Sequence, residues 1–267
     1  MDAIDIKVCI LRVAGTNCDA ETQRAFEALG VKAETLHLNK LVRMKNLLDY
    51  QILVFPGGFS YGDYIRSGAI LGKELITKLG NEIKQFVDEQ RAILGLCNGF
   101  QILVESGLLP ASNGISEYPE AALANNASAK FECRWIYMRN ENSKCIFTKK
   151  LSVGQVVRMP TAHGEGRFLT SDGNLKRLEE NGQIVLRYCK SDGEIANGEY
   201  PFNPNGALND IAGVCNPDGN VFALMPHPER AFFNFQYPDW EGKKNPDEYG
   251  DGMHIFDSVI EYTKKKF

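Results

Sequence analysis

Across residues 6–106, short apolar runs alternate with longer stretches of helical periodicity. That alternation limits the architecture more than any other feature of the chain. The runs at 6–13, 31–38, 51–55 and 92–96 have strand length, while 19–29, 70–87 and 98–106 carry apolar residues at helical spacing. Successive strands joined through helices pair in parallel, because a parallel crossover needs a dozen or more residues. The runs at 51–55 and 92–96 are almost wholly apolar, as expected of strands covered on both faces. The expected fold class is therefore α/β, an open, mostly parallel sheet flanked by helices. The second half is less regular. It suggests strands at 131–138, 154–159, 183–188 and 221–225, separated by turn-rich segments at 171–174, 197–198, 204–206 and 217–220. These read as added antiparallel strands, and 253–265 reads as a final amphipathic helix.

No repeat and no shift in composition marks a linker, so a single domain over 1–267 is expected, with insertions at about 111–130 and 231–252. The second insertion is rich in aromatic residues and suits either a self-packed Ω-loop or a partner-facing surface. With 43% hydrophobic and 24% charged residues, the chain can bury a proper core. A net charge of −4 calls for no nucleic-acid partner, and no apolar stretch is long enough to span a membrane. No basic region precedes an apolar core near the first residue, so no secretion signal is expected. Seven scattered cysteines with no C-x-x-C pair suggest free thiols and a cytoplasmic location, with no metal site.

Three places at the carboxyl ends of the expected strands carry candidate chemistry, which is where open parallel sheets gather their functional groups. In Gly95-Leu96-Cys97-Asn98-Gly99 a strand passes straight into a helix, and the two glycines permit a tight approach. The turn lifts Cys97 over the sheet edge beneath the first N–H groups of the helix. Those donors would stabilise a thiolate and an oxyanion. A nucleophile is the favoured reading for Cys97, and structural burial is favoured for the other six cysteines. Of four histidines, His37 and His254 fit structural positions in a strand and a helix. His227 and Glu229 lie in Met225-Pro226-His227-Pro228-Glu229, which the two prolines should hold extended, so both side chains would point the same way. That is a base with its orienter, provided the fold brings 97 and 227 together. Pro56-Gly57-Gly58 can offer N–H groups that pair with that of Asn98, although on this evidence alone a plain tight turn is the stronger reading. Gly72-Lys73 is not a phosphate loop, since Ser67 and Glu74 break the pattern, and no nucleotide-binding signature appears.

Gly95-Leu96-Cys97-Asn98-Gly99-Phe100-Gln101 with the distant Pro226-His227-Pro228-Glu229 resembles the class I (triad) glutamine amidotransferases. Three blocks narrow the resemblance: 11–19 (LRVAGTNCD), 55–69 (FPGGFSYGDYIRSGA) and 162–168 (AHGEGRF). They are similar to the glutaminase subunits that serve purine biosynthesis, where formylglycinamide ribonucleotide becomes formylglycinamidine ribonucleotide. The resemblance implies a flavodoxin-like sheet, with Cys97 as nucleophile, His227 as general base and acid, and Glu229 as its orienter. It implies backbone oxyanion donors at Gly58 and Asn98, and substrate contacts from Gln101, His163 and Gly164. L-glutamine would be the substrate, and this chain would carry no cofactor. ATP and Mg would be used by a separate synthetase subunit in a heteromeric complex that also holds a small accessory subunit. Two departures stand out: Val13-Ala14-Gly15 replaces the expected Phe-Pro-Gly, and the chain is longer than a typical subunit of this kind.

Overall fold

A computed structural model describes residues 1–267 except 45, 243, 244, 246 and 247. Its first half runs β1 (Lys7–Arg12), α1 (Asp19–Ala28), β2 (Lys32–His37), α2 (Leu38–Met44), β3 (Ile52–Phe55), α3 (Ala69–Asp88), β4 (Ala92–Leu96) and α4 (Asn98–Glu105). There follow β5 (Ala121–Asn125), β6 (Glu132–Asn140), β7 (Val156–His163), β8 (Glu165–Thr170) and α5 (Asp172–Glu180). The chain ends with β9 (Ile184–Cys189), β10 (Ile211–Cys215), β11 (Val221–Leu224) and α6 (Met253–Lys266).

One nine-stranded sheet has the order β2-β1-β3-β4-β11-β10-β9-β6-β7, and β5 pairs with β8 in a separate two-stranded ribbon. From β2 to β11 the neighbours are parallel, and from β11 to β7 they are antiparallel. β3, β4, β10 and β11 are buried along their whole length, as their apolar composition requires. Helix α3 buries Leu71, Leu75, Leu79, Ile83 and Phe86, a stripe at three- and four-residue spacing. α1 and α6 meet edge to face through Phe26 and Phe256, with ring centroids 5.0 Å apart.

Several elements differ from the expected ones. Residues 171–174 are not a free turn: Ser171 caps α5 by accepting from the Asn174 N–H at 3.3 Å. The strand expected at 154–159 runs on as β7 to His163, and Gly164 is where the chain leaves the large sheet for the ribbon. α2, β5, β8 and β10 carried no clear sequence signal. β10 pairs irregularly around Gly213, where an added Cβ would lie 2.9 Å from the Ala223 carbonyl. The stretch 111–130 contributes β5. Within 231–252, Phe233 and Tyr249 stack, and Phe232 meets both of them and Phe256 of α6 edge to face. Residues 243, 244, 246 and 247 of that stretch lie outside the described residues.

The glycines beside Cys97 have specific neighbours. A Cβ on Gly99 would sit 1.9 Å from the Phe55 carbonyl oxygen of β3, and one on Gly95 would sit 2.8 Å from the Gly99 backbone. Gly99→Ala is therefore expected to destabilise by about 1–3 kcal/mol, since backbone must yield. At about 2–4 °C per kcal/mol for a chain of this size, a thermal melt would register several degrees. An unchanged melting temperature would refute this account of the elbow's packing.

Candidate functional site

Cys97 is the hinge between β4 and α4, with φ 52° and ψ −104°, a region that side chains other than glycine rarely occupy. Its N–H donates to the Leu224 carbonyl at 2.9 Å, so pairing with β11 continues up to the elbow. Its carbonyl accepts from the Phe100 N–H at 2.9 Å, which starts the helix at once. The sulfur lies 3.8 Å from the Ala162 carbonyl oxygen of β7. The side chain is almost buried.

β11 lies beside β4 in register, Leu224 opposite Leu96, so the chain leaving β11 emerges next to the elbow. Residues 97 and 227 therefore meet because their strands are neighbours. His227 is extended and its N–H donates to the Pro160 carbonyl at 2.8 Å. The segment does not stay extended as expected: Pro228–Arg230 forms a single 3₁₀ turn. Proline suits the first position of such a turn, where its missing N–H costs nothing. The turn still brings the two side chains together, with Glu229 Oε1 2.6 Å from His227 Nδ1. Both are buried. Burial alone would push the imidazole pKa down. The Glu229 carboxylate overrides it and, with the Cys97 and Cys18 thiols, raises the pKa well above the ordinary histidine value. Nε2, the ring nitrogen away from Glu229, is buried and makes no hydrogen bond.

A cavity of about 320 Å³ opens at the elbow, lined by Gly58, Cys97, Gln101, His163, Gly164 and Glu165 among others. The sequence-predicted residues Gly58, Gln101, His163 and Gly164 thus converge with Cys97 on one space, while His227 and Glu229 lie buried outside its lining. Gly58 has φ 145° and bridges Thr16 from the loop after β1. That loop and the one after β3 face each other where the strand order reverses between β1 and β3, the usual ligand crevice of such sheets. Gln101 is tied down at both ends: its Oε1 accepts from Asn98 Nδ2 at 2.8 Å, and its Nε2 donates to the Glu165 carbonyl. His163 Nδ1 lies 3.0 Å from Asn126 Oδ1. Burial, with the charge of His227, pushes its pKa down to about 3, so it stays neutral. Gly166 leaves room for that ring, since a Cβ there would lie 2.4 Å from it.

Sequence reasoning missed four participants. Asp63, Ser67 and Glu165 line the cavity. The Asp63 carboxyl pKa is raised by burial and by the nearby Glu165 charge, and the Ser67 N–H donates to Glu165 Oε2 at 3.1 Å. The Asn98 side chain, and not only its backbone, is structural to the site. It accepts from the Ser60 N–H at 3.1 Å while holding Gln101. These residues fall inside the 55–69 and 162–168 blocks or the elbow, but no spacing or periodicity marked them.

Cys18, His227 and Glu229 place a sulfur, a ring nitrogen and a carboxylate oxygen within 4.8 Å of one another, chemically a metal-ligand set. The His227 Nδ1, the Glu229 Oε1 and the Cys18 sulfur are already engaged within the protein. Nδ1 is bonded to Glu229, and the Cys18 sulfur contacts Asn17 and the Arg230 guanidinium, a cation that opposes another cation there. Among the described residues no helix is long and apolar enough to cross a membrane.

Residues 5–263 match the family model for the CobB/CobQ-like glutamine amidotransferase domain. A protein of Archaeoglobus fulgidus named phosphoribosylformylglycinamidine synthase subunit PurQ is 47% identical, over 99% of this chain and 100% of its own. The protein of the same name from Methanococcus maripaludis is 40% identical, over 97% of this chain and 98% of its own. Among solved structures, a chain of PurLQS from Thermotoga maritima superposes with a TM-score of 0.74 at 35% identity, covering 97% of this chain and 99% of that one.

Proposed function

Because the chain belongs to the CobB/CobQ-like glutamine amidotransferase family, we propose that it is the glutaminase subunit of phosphoribosylformylglycinamidine synthase. It would hydrolyse L-glutamine for the conversion of formylglycinamide ribonucleotide to formylglycinamidine ribonucleotide in purine biosynthesis. The near full-length similarity to subunits of that name supports this reading. The single observation that carries the chemistry is the buried His227–Glu229 pair, 2.6 Å apart, just after the strand that lies next to the Cys97 elbow.

In this reading the whole chain acts as one amidotransferase domain and Cys97 gives its proton to His227. The imidazolium is favoured by Glu229, in keeping with its raised pKa. The thiolate attacks the side-chain carboxamide of glutamine in the cavity, and the N–H groups of Gly58 and Asn98 hold the tetrahedral oxyanion. His227 then protonates the leaving nitrogen, so ammonia departs and a γ-glutamyl thioester remains. Water activated by His227 hydrolyses the thioester to glutamate and restores the thiol. Gln101, His163 and the Gly164 backbone hold the substrate, and the neutral state of His163 suits it to hydrogen bonding over proton transfer. Ammonia passes internally to a synthetase subunit that uses ATP and Mg, in a cytoplasmic complex completed by a small accessory subunit.

The test is co-purification with the synthetase and accessory subunits, followed by a glutamine-dependent amidination assay with and without ADP. With glutamine as the sole nitrogen source, formylglycinamidine ribonucleotide should appear only when ATP and all the subunits are present. Glutamine-dependent activity with a GMP or CTP synthetase in place of that partner would overturn the acceptor assignment.

A further inference from the structure

The block 11–19 holds a cysteine for which burial alone was expected, yet Cys18 contacts the proposed base. Its sulfur lies 4.0 Å from His227 Nδ1, 3.1 Å from Asn17 Oδ1 and 3.2 Å from Arg230 Nη2. Gly57 makes the approach possible, because a Cβ there would lie 2.8 Å from the His227 ring and 2.9 Å from the Cys18 sulfur. Cys18 starts α1, and its N–H donates to the Gly57 carbonyl at 3.1 Å. Arg230 is held in turn by Glu21 of the same helix at 2.6 Å.

Counting protons fixes how the thiol is used. A guanidinium can only donate, so the sulfur accepts from Arg230. The Asn17 carbonyl oxygen can only accept, so the single S–H points there. The lone pairs of the sulfur are thus left on the side of Arg230 and of the imidazole. Burial pushes the Cys18 pKa up to about 11, which keeps it a thiol.

We propose that Cys18 is a positioning residue, a second acceptor facing the Nδ1–H of His227 that favours the imidazolium formed when Cys97 gives up its proton. The inference rests on the Cys97–His227–Glu229 reading and adds to it one group, delivered by the first helix. The groups that act on His227 are Glu229 and Cys18 on the Nδ1 side, Cys97 at the elbow, and His163 from β7, which stays neutral. The Arg230 side chain touches Cys18 and acts by its charge on Glu229. Sulfur is a weak acceptor at this distance, so its effect is a bias on the proton and not the main interaction.

The test compares Cys18→Ala and Cys18→Ser with the wild-type chain in the assembled complex, reading kcat and KM for glutamine and the pH dependence of Cys97 alkylation by iodoacetamide. Losing the acceptor makes the imidazolium less favourable, so the thiolate–imidazolium pair forms at higher pH. Cys18→Ala should move the alkylation midpoint up by about half a pH unit and lower kcat about three- to tenfold, with KM little changed. Cys18→Ser keeps both a donor and an acceptor and should recover most of the loss. An unshifted midpoint in Cys18→Ala overturns the proposal, whatever happens to kcat. So does an equal loss in both variants with the midpoint unmoved, which would mean packing alone. Wild-type complex that does not hydrolyse glutamine would instead defeat the underlying functional reading.

Discussion

Cys97→Ala should remove glutamine-dependent amidination by the assembled complex, by about 10⁴-fold or more, and leave its ammonia-dependent activity intact. The size follows from chemistry. Without the sulfur there is no atom to form the thioester, and the remaining groups can only polarise an amide that water attacks slowly. The selectivity follows from structure. Alanine keeps the Cβ, so the backbone at φ 52° meets nothing new, and β4 and β11 still pair through the Cys97 N–H. Parallel assays with glutamine and with ammonium chloride decide it. Surviving glutamine-dependent activity would remove Cys97 from the mechanism, and loss of both activities would point to a broken assembly.

Glu229→Gln should lower kcat on the order of 10³-fold while changing size and shape little. The buried imidazole would lose the charge that overrides its burial, and its pKa should fall. The same pair gives a stability signature whose sign is determined. The folded pKa of His227 is raised, so the pair's contribution is fully present below the unfolded histidine value of about 6.5. It is lost as pH rises through the elevated folded value. The melting-temperature gap between wild type and Glu229→Gln should thus be widest in mildly acidic solution and narrow towards alkaline pH. A gap that widened with pH would mean that the imidazole is not the group being stabilised.

Much of the first half was legible because its signals are local. The apolar runs at 51–55 and 92–96 became β3 and β4 nearly residue for residue, and Gly95 and Gly99 announced a close contact that Phe55 supplies. The second half hid its elements where tertiary pairing outweighs local preference. β10 contains Gly213 and is ordered by neighbours on both sides, and β5 exists only because β8 pairs with it. At the site, Cys97, His227 and Glu229 were readable as residue types with suitable neighbours. Their meeting depended on β11 lying beside β4, which no local pattern specifies. Asp63, the Asn98 side chain and Cys18 were invisible for the same reason: each acts through a partner distant in sequence.

The place of β11 also bears on how the molecule is made. It is the last strand among the described residues, yet it occupies the middle of the sheet, with β4 on one side and β10 on the other. Without it, the edges of β4 and β10 stand open and His227 is not held beside the elbow. On the proposed mechanism, a chain lacking β11 would have a cysteine without its proton acceptor and would not consume glutamine. On that mechanism, competence requires closure of the sheet by its central strand, a pairing distant in sequence.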